Sequence, residues 1–250
     1  MSNNIGLDIG SRTIKLVMLE KNKNIILKRT ANNSHDPLSV CKEMIRDLDQ
    51  GRIVATGYGR HLIKEYISCE TVSEIKAFAV GAKALHGSCR TILDIGGQDT
   101  KAISLDENGK ILKFSMNDKC AAGTGRFLEI MAIALGLRLK DFIAAAMSSE
   151  KALAISSMCT VFAESEVVSM IARGASRPQI ARGIHQSIAT RSVSLLEKVT
   201  VAETVLFAGG VALNPCMRVE LEKCLGKSVH VPDEPQLVGA LGCSLIAETL

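Results

Sequence analysis

The tripeptide Asp-Ile-Gly stands twice in this chain, at Asp8-Ile9-Gly10 and at Asp94-Ile95-Gly96, and each copy opens a stretch that resembles the other. With an offset of 86, residues 5–27 and 91–113 share Leu7/Leu93, Asp8/Asp94, Ile9/Ile95, Gly10/Gly96, Lys15/Lys101, Leu19/Leu105, Asn22/Asn108 and Ile25/Ile111, eight identities in 23 positions. Each copy reads as a short apolar strand, a glycine turn, a second strand, a polar turn and a third strand. A β-meander used twice constrains the architecture: two similar halves are expected to face each other across a cleft, the kind of place ligands favour.

Helical periodicity follows each meander. It predicts helices over 37–48 and 73–85, with a strand at 52–56 and a Gly57-Tyr58-Gly59 turn between them. After the second meander the chain reads as mostly helical, over 127–135, 139–147, 165–173 and 178–198. Strands are expected at 204–208 and 228–231, and a closing helix over 237–248. The expected division is a first lobe of residues 1–88, on which the last helix (about 236–250) packs back, and a second lobe of 89–235.

Composition excludes several classes. Thirty basic and 26 acidic residues leave a net charge of +4 and no strong single-sign field, so nucleic acid is not implied. The start, Met1-Ser2-Asn3-Asn4-Ile5, lacks the basic and apolar regions of a signal peptide. No apolar run approaches the ~20 residues needed to span a bilayer, so a cytoplasmic protein without membrane contact is expected. A reducing compartment argues against disulfides among the eight cysteines, and no Cys-x-x-Cys pair exists. Any metal site must therefore be assembled from distant segments.

An aspartate that ends a strand and is followed by a glycine turn puts a carboxylate beside backbone N–H groups that can approach an anion closely. One Asp-x-Gly is what an ordinary hairpin turn carries; two matched copies point to phosphate handling. In the first copy Gly10, Ser11, Arg12, Thr13, Ile14 and Lys15 can receive terminal phosphates while Asp8 holds Mg2+ directly or through its water shell. In the second, Asp94 is followed by Gly96, Gly97, Gln98 and Asp99. A glutamine beside bound phosphates can orient an attacking water, so Gln98, absent from the first copy, marks the half that hydrolyses. A third segment, Val205 to Ala212, is an apolar strand running into Gly209-Gly210-Val211 and a helix, a form against which adenine and ribose can lie flat.

Two cysteines precede apparent helices: Cys120 in Asn117-Asp118-Lys119-Cys120-Ala121-Ala122-Gly123-Thr124-Gly125, and Cys159 in Ser156-Ser157-Met158-Cys159-Thr160. Near a helix N-terminus the macrodipole favours thiolate, which suits metal ligation, although inert burial is the commoner fate of a free cysteine.

The order of the two Asp-Ile-Gly segments and the Gly-Gly segment resembles the phosphate-1, phosphate-2 and adenosine segments of the actin, Hsp70 and sugar-kinase superfamily. That resemblance implies an α/β, two-lobed actin-like ATPase fold with a nucleotide cleft between duplicated lobes. Residues 117–129 and 155–168, with 94–101 and Thr56-Gly57-Tyr58-Gly59-Arg60, resemble the activator components of 2-hydroxyacyl-CoA dehydratases, in the BadF/BadG/BcrA/BcrD-type ATPase family. The likeness runs essentially the whole chain.

What it implies is specific. Cys120 and Cys159 would hold one [4Fe–4S] cluster shared by a homodimer, each subunit contributing a pair of the four thiolates such a cluster takes. Ser11 to Lys15 would bind phosphate, Asp8, Asp94 and Gln98 would surround Mg2+ and water, and Gly209, Gly210 and Gln236 would lie nearer the nucleoside of ATP. Leu213 departs from the pattern, which carries a polar residue after the Gly-Gly-Val-Ala run. The implied activity is ATP-driven electron transfer, with ferredoxin or flavodoxin as donor and a dehydratase as acceptor. A shift of a few tenths of a volt in a one-electron potential costs roughly 5–8 kcal/mol, the order that ATP hydrolysis supplies. Three other readings share these motifs: the ATP-binding subunit of a benzoyl-CoA-reductase-like enzyme, a small-molecule kinase, and a zinc-stapled ATP switch.

Overall fold

The computed structural model describes residues 3–157 and 159–250. It opens with a meander, β1 (Asn3–Ile9), β2 (Thr13–Leu19) and β3 (Ile25–Asn32), in which Asp8 lies opposite Lys15 and neighbouring strands run antiparallel. Helix α1 (Pro37–Ile45) starts where the Asp36 side chain accepts from the Ser39 backbone N–H and Pro37 occupies the first turn. Strand β4 (Gln50–Thr56) pairs parallel with β1, and the short β5 (Glu70–Thr71) pairs parallel with β4. Helix α2 (Arg60–Tyr66) lies between them, and α3 (Glu74–Leu85), capped by Ser73, follows. The strand order is β3-β2-β1-β4-β5.

The second half repeats the plan. Strands β6 (Thr91–Ile95), β7 (Thr100–Leu105) and β8 (Ile111–Asn117) form the second meander. Four helices come next: α4 (Gly125–Ala134), α5 (Leu139–Met147), α6 (Thr160–Ala172) and α7 (Arg177–Leu196). Strand β9 (Val205–Ala208), α8 (Pro215–Leu225), β10 (Val229–His230) and α9 (Val238–Glu248) complete the chain. The second sheet has the order β10-β9-β6-β7-β8, the first sheet's order read in reverse, so the duplication seen in 23 positions extends to sheet topology.

Two helices differ from expectation. Helix α6 begins at Thr160, five residues before the expected start, because Cys159 serves as its N-cap and the apolar run Val161-Phe162-Ala163 is helical. Helix α2 was not expected; only Ile63 of its seven residues is buried and its N-cap, Gly59, offers no side-chain cap, so it carries almost no amphipathic signal.

By contacts the chain divides into two compact units, Met1–Ile92 with Ile103–Leu112 and Pro232–Leu250, and Leu93–Ala102 with Lys113–Val231. In the first, Ile5, Leu7, Ile9, Ile14 and Leu16 build a core with Cys41, Met44, Ile53 and Ile63. Helix α9 lies backbone to backbone on this unit: a Cβ on Gly6 would overlap the Ala240 carbonyl, and one on Gly242 would overlap that of Ala77. In the second, Leu93, Ile95 and Ala102 pack with Phe127, Met131, Phe142, Ile184 and Phe207. No helix among the described residues is long and apolar enough to cross a membrane.

Candidate functional site

The two Asp-Ile-Gly loops fold alike. In the first, the Gly10 N–H donates to the Thr13 carbonyl at 3.1 Å; in the second, the Gly96 N–H donates to that of Asp99 at 2.9 Å. Each turns a strand back so that the lysine seven positions on faces the aspartate. Lys15 Nζ lies 3.2 Å from Asp8 Oδ2, and Lys101 Nζ lies 3.1 Å from Asp94 Oδ2. The copies differ in one respect: Lys101 also reaches Asp99 Oδ2 at 2.7 Å, whereas Thr13 stands where Asp99 would be in the first copy. Lys101 and Asp94 are each 3% exposed, so this is a buried charged group rather than a surface pair. Lys15 Nζ therefore sits on Asp8, and the role of Lys101 in holding both acids is one the sequence reading missed. The signal was available, since pairing in a tight hairpin puts position i opposite i+7.

Ser11 and Thr13 are half-buried and Arg12 is exposed at the tip of the first loop, whose shape is fixed by Asn33, which donates to the Gly10 carbonyl at 2.7 Å. Ile14 is fully buried in the first core, which leaves only its backbone to face a ligand. Gln98 is exposed at the tip of the second loop.

The second loop is joined to two further segments. A Cβ on Gly209, which has φ +87°, would collide with Asp94 Oδ1 and the Ile95 carbonyl, so only glycine lets the third segment reach this loop. Gly210 and Val211 then form a 3-10 turn, and α8 starts beyond it, capped by Asn214, which accepts from the N–H groups of Cys216 and Met217. Asn214 also bonds His185 Nε2 at 3.0 Å, while His185 Nδ1 lies 2.7 Å from the Ala181 carbonyl. Burial pushes the His185 pKa down to about 4. Leu213 is exposed.

The other junction is with α4. The N–H groups of Gly125 and Arg126 donate to the carbonyls of Gly96 and Gly97, both at 2.9 Å. First-turn N–H groups have no partner within their own helix, and here the Asp94 loop supplies them. The start of the helix that follows Cys120 is thus hydrogen-bonded at two points to the loop that carries Asp94 and Gln98.

Of the predicted site residues, the structure gathers Asp94, Gly96, Gly97, Asp99, Gly209, Gly210 and Val211 in the second unit, along with Cys120 and Cys159. Asp8, Gly10 to Lys15 and Gln236 belong to the first.

Cys120 and Cys159 are both exposed. By contrast, burial raises the thiol pKa of Cys41 to about 12 and those of Cys89 and Cys216 to about 11, as for inert apolar residues. Cys159 is the N-cap of α6, so the macrodipole argument applies to it. It does not apply to Cys120, which lies four residues before Thr124, the N-cap of α4, in a helix whose first N–H groups are taken by Gly96 and Gly97. The Cys120 loop is held instead by Asn117, which donates to the carbonyls of Cys120 (2.9 Å) and Ala122 (3.1 Å), and by Thr100, which donates to that of Gly123 (2.8 Å).

The segment before Cys159 is held by Glu166, which accepts from Ser156 N–H and Oγ and from Ser157 N–H. Partial burial pushes the Glu166 carboxyl up, but these hydrogen bonds outweigh it and hold the pKa at about 2. Arg191 serves both segments: its Nη2 donates to the Ser157 carbonyl at 2.8 Å, and its charge interacts with Cys120. Among the described residues no group of three or more His, Cys, Asp or Glu gathers to hold a metal ion. Cys120 and Cys159 offer two thiols from one chain, half of a four-thiolate set, while the third exposed thiol, Cys224, lies in α8.

The repeated five-strand order defines an actin-like ATPase fold. A glucokinase of the ROK family from Streptomyces griseus has the same fold at 12% identity, with a TM-score of 0.65 and full coverage of both chains. Within that fold the chain belongs to the BadF/BadG/BcrA/BcrD ATPase family, which matches residues 5–247. It is 39% identical to the (R)-2-hydroxyglutaryl-CoA dehydratase activating ATPase of Acidaminococcus fermentans, over 97% of this chain and 96% of that one. To the activator of lactoyl-CoA dehydratase from Anaerotignum propionicum the identity is 40%, with 97% and 96% covered. The solved structure of the activator of the 2-hydroxyisocaproyl-CoA dehydratase from Clostridium difficile, with bound ADPNP, matches at a TM-score of 0.90 and 39% identity, covering 99% of this chain and 94% of that one.

Proposed function

We propose that this chain is an ATP-dependent electron donor that activates a 2-hydroxyacyl-CoA dehydratase. Supporting this reading are identities of 39–40% to activators of three such dehydratases over nearly the whole chain. Within the molecule, the carrying observation is the pair of hydrogen bonds from Gly125 and Arg126 to Gly96 and Gly97, because it couples a nucleotide loop to the helix that follows Cys120.

The roles of the residues follow from their chemistry. Asp8 and Asp94 hold Mg2+ through carboxylates whose positions are set by Lys15 and Lys101. Backbone N–H groups of Gly10 to Lys15 and of Gly96 to Asp99 receive phosphate oxygens, and Gln98 orients the attacking water. Gly209, Gly210, Val211 and Gln236 face the nucleoside. Cys120 and Cys159 are the thiolates that hold a [4Fe–4S] cluster, with the other two supplied by a second copy of the chain. When bound, such a cluster supplies one-electron chemistry. Exposed Val161 and Phe162, in the first turn of α6 after Cys159 and Thr160, provide the apolar surface a subunit contact needs. Reduced ferredoxin or flavodoxin is the upstream donor.

Loss of the γ-phosphate changes what the Gly96-Gly97 backbone binds, and the two carbonyl contacts carry any resulting shift of the loop into α4. This does work only if ATP and ADP favour different arrangements, since a ligand with equal affinity for both shifts nothing. Anaerobic purification with iron and sulfide counting tests the reading. The expected result is a brown homodimer with about four of each per dimer, and Cys120→Ala or Cys159→Ala should be colourless while still binding ATP. A colourless, zinc-containing dimer would refute it.

A further inference from the structure

Of the segments that carry the family likeness, Thr56-Gly57-Tyr58-Gly59-Arg60 alone has no role in the function proposed above. Strand β4 ends at Thr56, the residue paired with Asp8, and the chain then turns over the start of the Gly10 loop. Gly57 has φ +90°, and a Cβ on it would overlap the backbone of Ile9; one on Gly59 would overlap the Ile9 side chain. The Gly59 N–H donates to the Ile9 carbonyl at 3.0 Å. Arg60 Nη1 in turn donates to the Gly57 carbonyl at 3.0 Å, and Thr56 Oγ1 to that of Val72 at 3.0 Å. The turn is thus pinned, through both of its glycines, to the residue that stands between Asp8 and Gly10.

The second unit contains the same construction. Strand β9 lies beside β6 as β4 lies beside β1, and Gly209, with φ +87°, is pressed against Ile95 as Gly57 is against Ile9. The two copies part at the next residue. Gly210 follows Gly209 and offers no side chain, whereas Tyr58 follows Gly57 and is 83% exposed. Tyr58 is one of two tyrosines in a chain without tryptophan. A phenol loses little rotamer entropy on binding and carries a hydroxyl donor at its tip, which is why tyrosine is frequent in recognition sites. On a turn pinned to a phosphate-receiving loop, the ligand beside that hydroxyl is the one the loop holds.

We propose that Tyr58 is a nucleotide-binding residue of the first unit, its hydroxyl donating to the terminal phosphate of ATP; this rests on the assignment of the Gly10 to Lys15 loop to phosphate. A hydroxyl that donates to a charged phosphate oxygen makes a stronger hydrogen bond than one between neutral groups. ADP has no γ-phosphate, so the bond forms with ATP alone and gives the first unit a means of telling the two nucleotides apart. Such differential affinity is what a nucleotide-driven change of arrangement requires. The bare Gly210 at the matching place in the second unit leaves that unit without an equivalent donor.

Calorimetric titration of the full-length protein with the non-hydrolysable ATP analogue ADPNP and, separately, with ADP, both with Mg2+, tests it. Tyr58→Phe removes one hydroxyl from an exposed ring and leaves the packing of the turn intact. It should weaken ADPNP binding by about tenfold or more, the loss of a hydrogen bond to a charged group, with ADP affinity unchanged. Tyr66→Phe, at the other exposed tyrosine of the first unit, should change neither. A merely structural role for Tyr58 would move both nucleotides together, and that result would overturn the proposal. So would unchanged ADPNP affinity in Tyr58→Phe; if dehydratase activation alone were then lost, the ring would be a contact for the partner protein instead. Asp8→Asn separates this proposal from the loop assignment beneath it: it should weaken both nucleotides, and if it leaves both unchanged the loop does not receive phosphate and the role of Tyr58 falls with it.

Discussion

Replacing Lys101 with methionine should be the most damaging single change in the Asp94 loop, and the first copy supplies its own control. Methionine keeps most of the apolar stem and removes the ammonium that lies 3.1 Å from Asp94 and 2.7 Å from Asp99. Removing one partner of a buried ion pair costs about 3–5 kcal/mol, since the remaining charge stays desolvated. Asp99 is 24% exposed and recovers part of its hydration, so about 3 kcal/mol is expected for Lys101→Met. Lys15→Met removes one contact from a pair exposed by 12% and 7%, and should cost about 1–2 kcal/mol. Urea unfolding followed by circular dichroism measures both, and a difference of about 1.5 kcal/mol corresponds to a midpoint shift of roughly half a molar. Equal midpoints for the two variants would refute the argument that bridging a buried and a partly exposed carboxylate distinguishes the second copy.

Gly209→Ala puts a Cβ into Asp94 Oδ1 and the Ile95 carbonyl at a φ of +87°, so it should cost well over about 1 kcal/mol and abolish ATP binding measured by calorimetry. His185 is neutral when folded, with its pKa lowered by burial from 6.5 to about 4. Its stabilisation is therefore complete above pH 6.5 and lost as pH falls from 6.5 toward 4, by up to about 3 kcal/mol; thermal unfolding across that window should show the loss, and His185→Gln should flatten it. Glu166→Gln removes the charge that holds Ser156 and Ser157, and should loosen the Cys159 segment by about 1 kcal/mol after allowance for its exposure. Faster alkylation of Cys159 in cluster-free protein, with Cys120 unchanged, is the expected sign.

The fold was legible because its strongest signal is internal. Leu7-Asp8-Ile9-Gly10 and Leu93-Asp94-Ile95-Gly96 recur with the same downstream lysine, and the two sheets repeat one strand order as a result. What stayed hidden depends on groups that carry no side-chain pattern. The caps of α4 are the Gly96 and Gly97 carbonyls, 29 residues upstream of the N–H groups they accept from, and a backbone carbonyl leaves no mark in a sequence. The start of α6 was missed for a related reason, since cysteine is not a residue that announces a cap and Glu166 satisfies the preceding N–H groups from inside the helix. Asn214 before Pro215 is an ordinary cap signal, yet its second bond, to His185, joins positions 29 apart and emerges only from packing.

The central claim is that ATP hydrolysis by this chain is spent on activating a dehydratase. Under anaerobic conditions, the purified dimer should be mixed with a 2-hydroxyacyl-CoA dehydratase, its 2-hydroxyacyl-CoA substrate, a low-potential reductant and Mg-ATP, and enoyl-CoA formation followed. Product is expected only when ATP is present, with none from Cys120→Ala. Activation that proceeds equally without ATP, or ATP consumption that yields a phosphorylated small molecule and no enoyl-CoA, would contradict it.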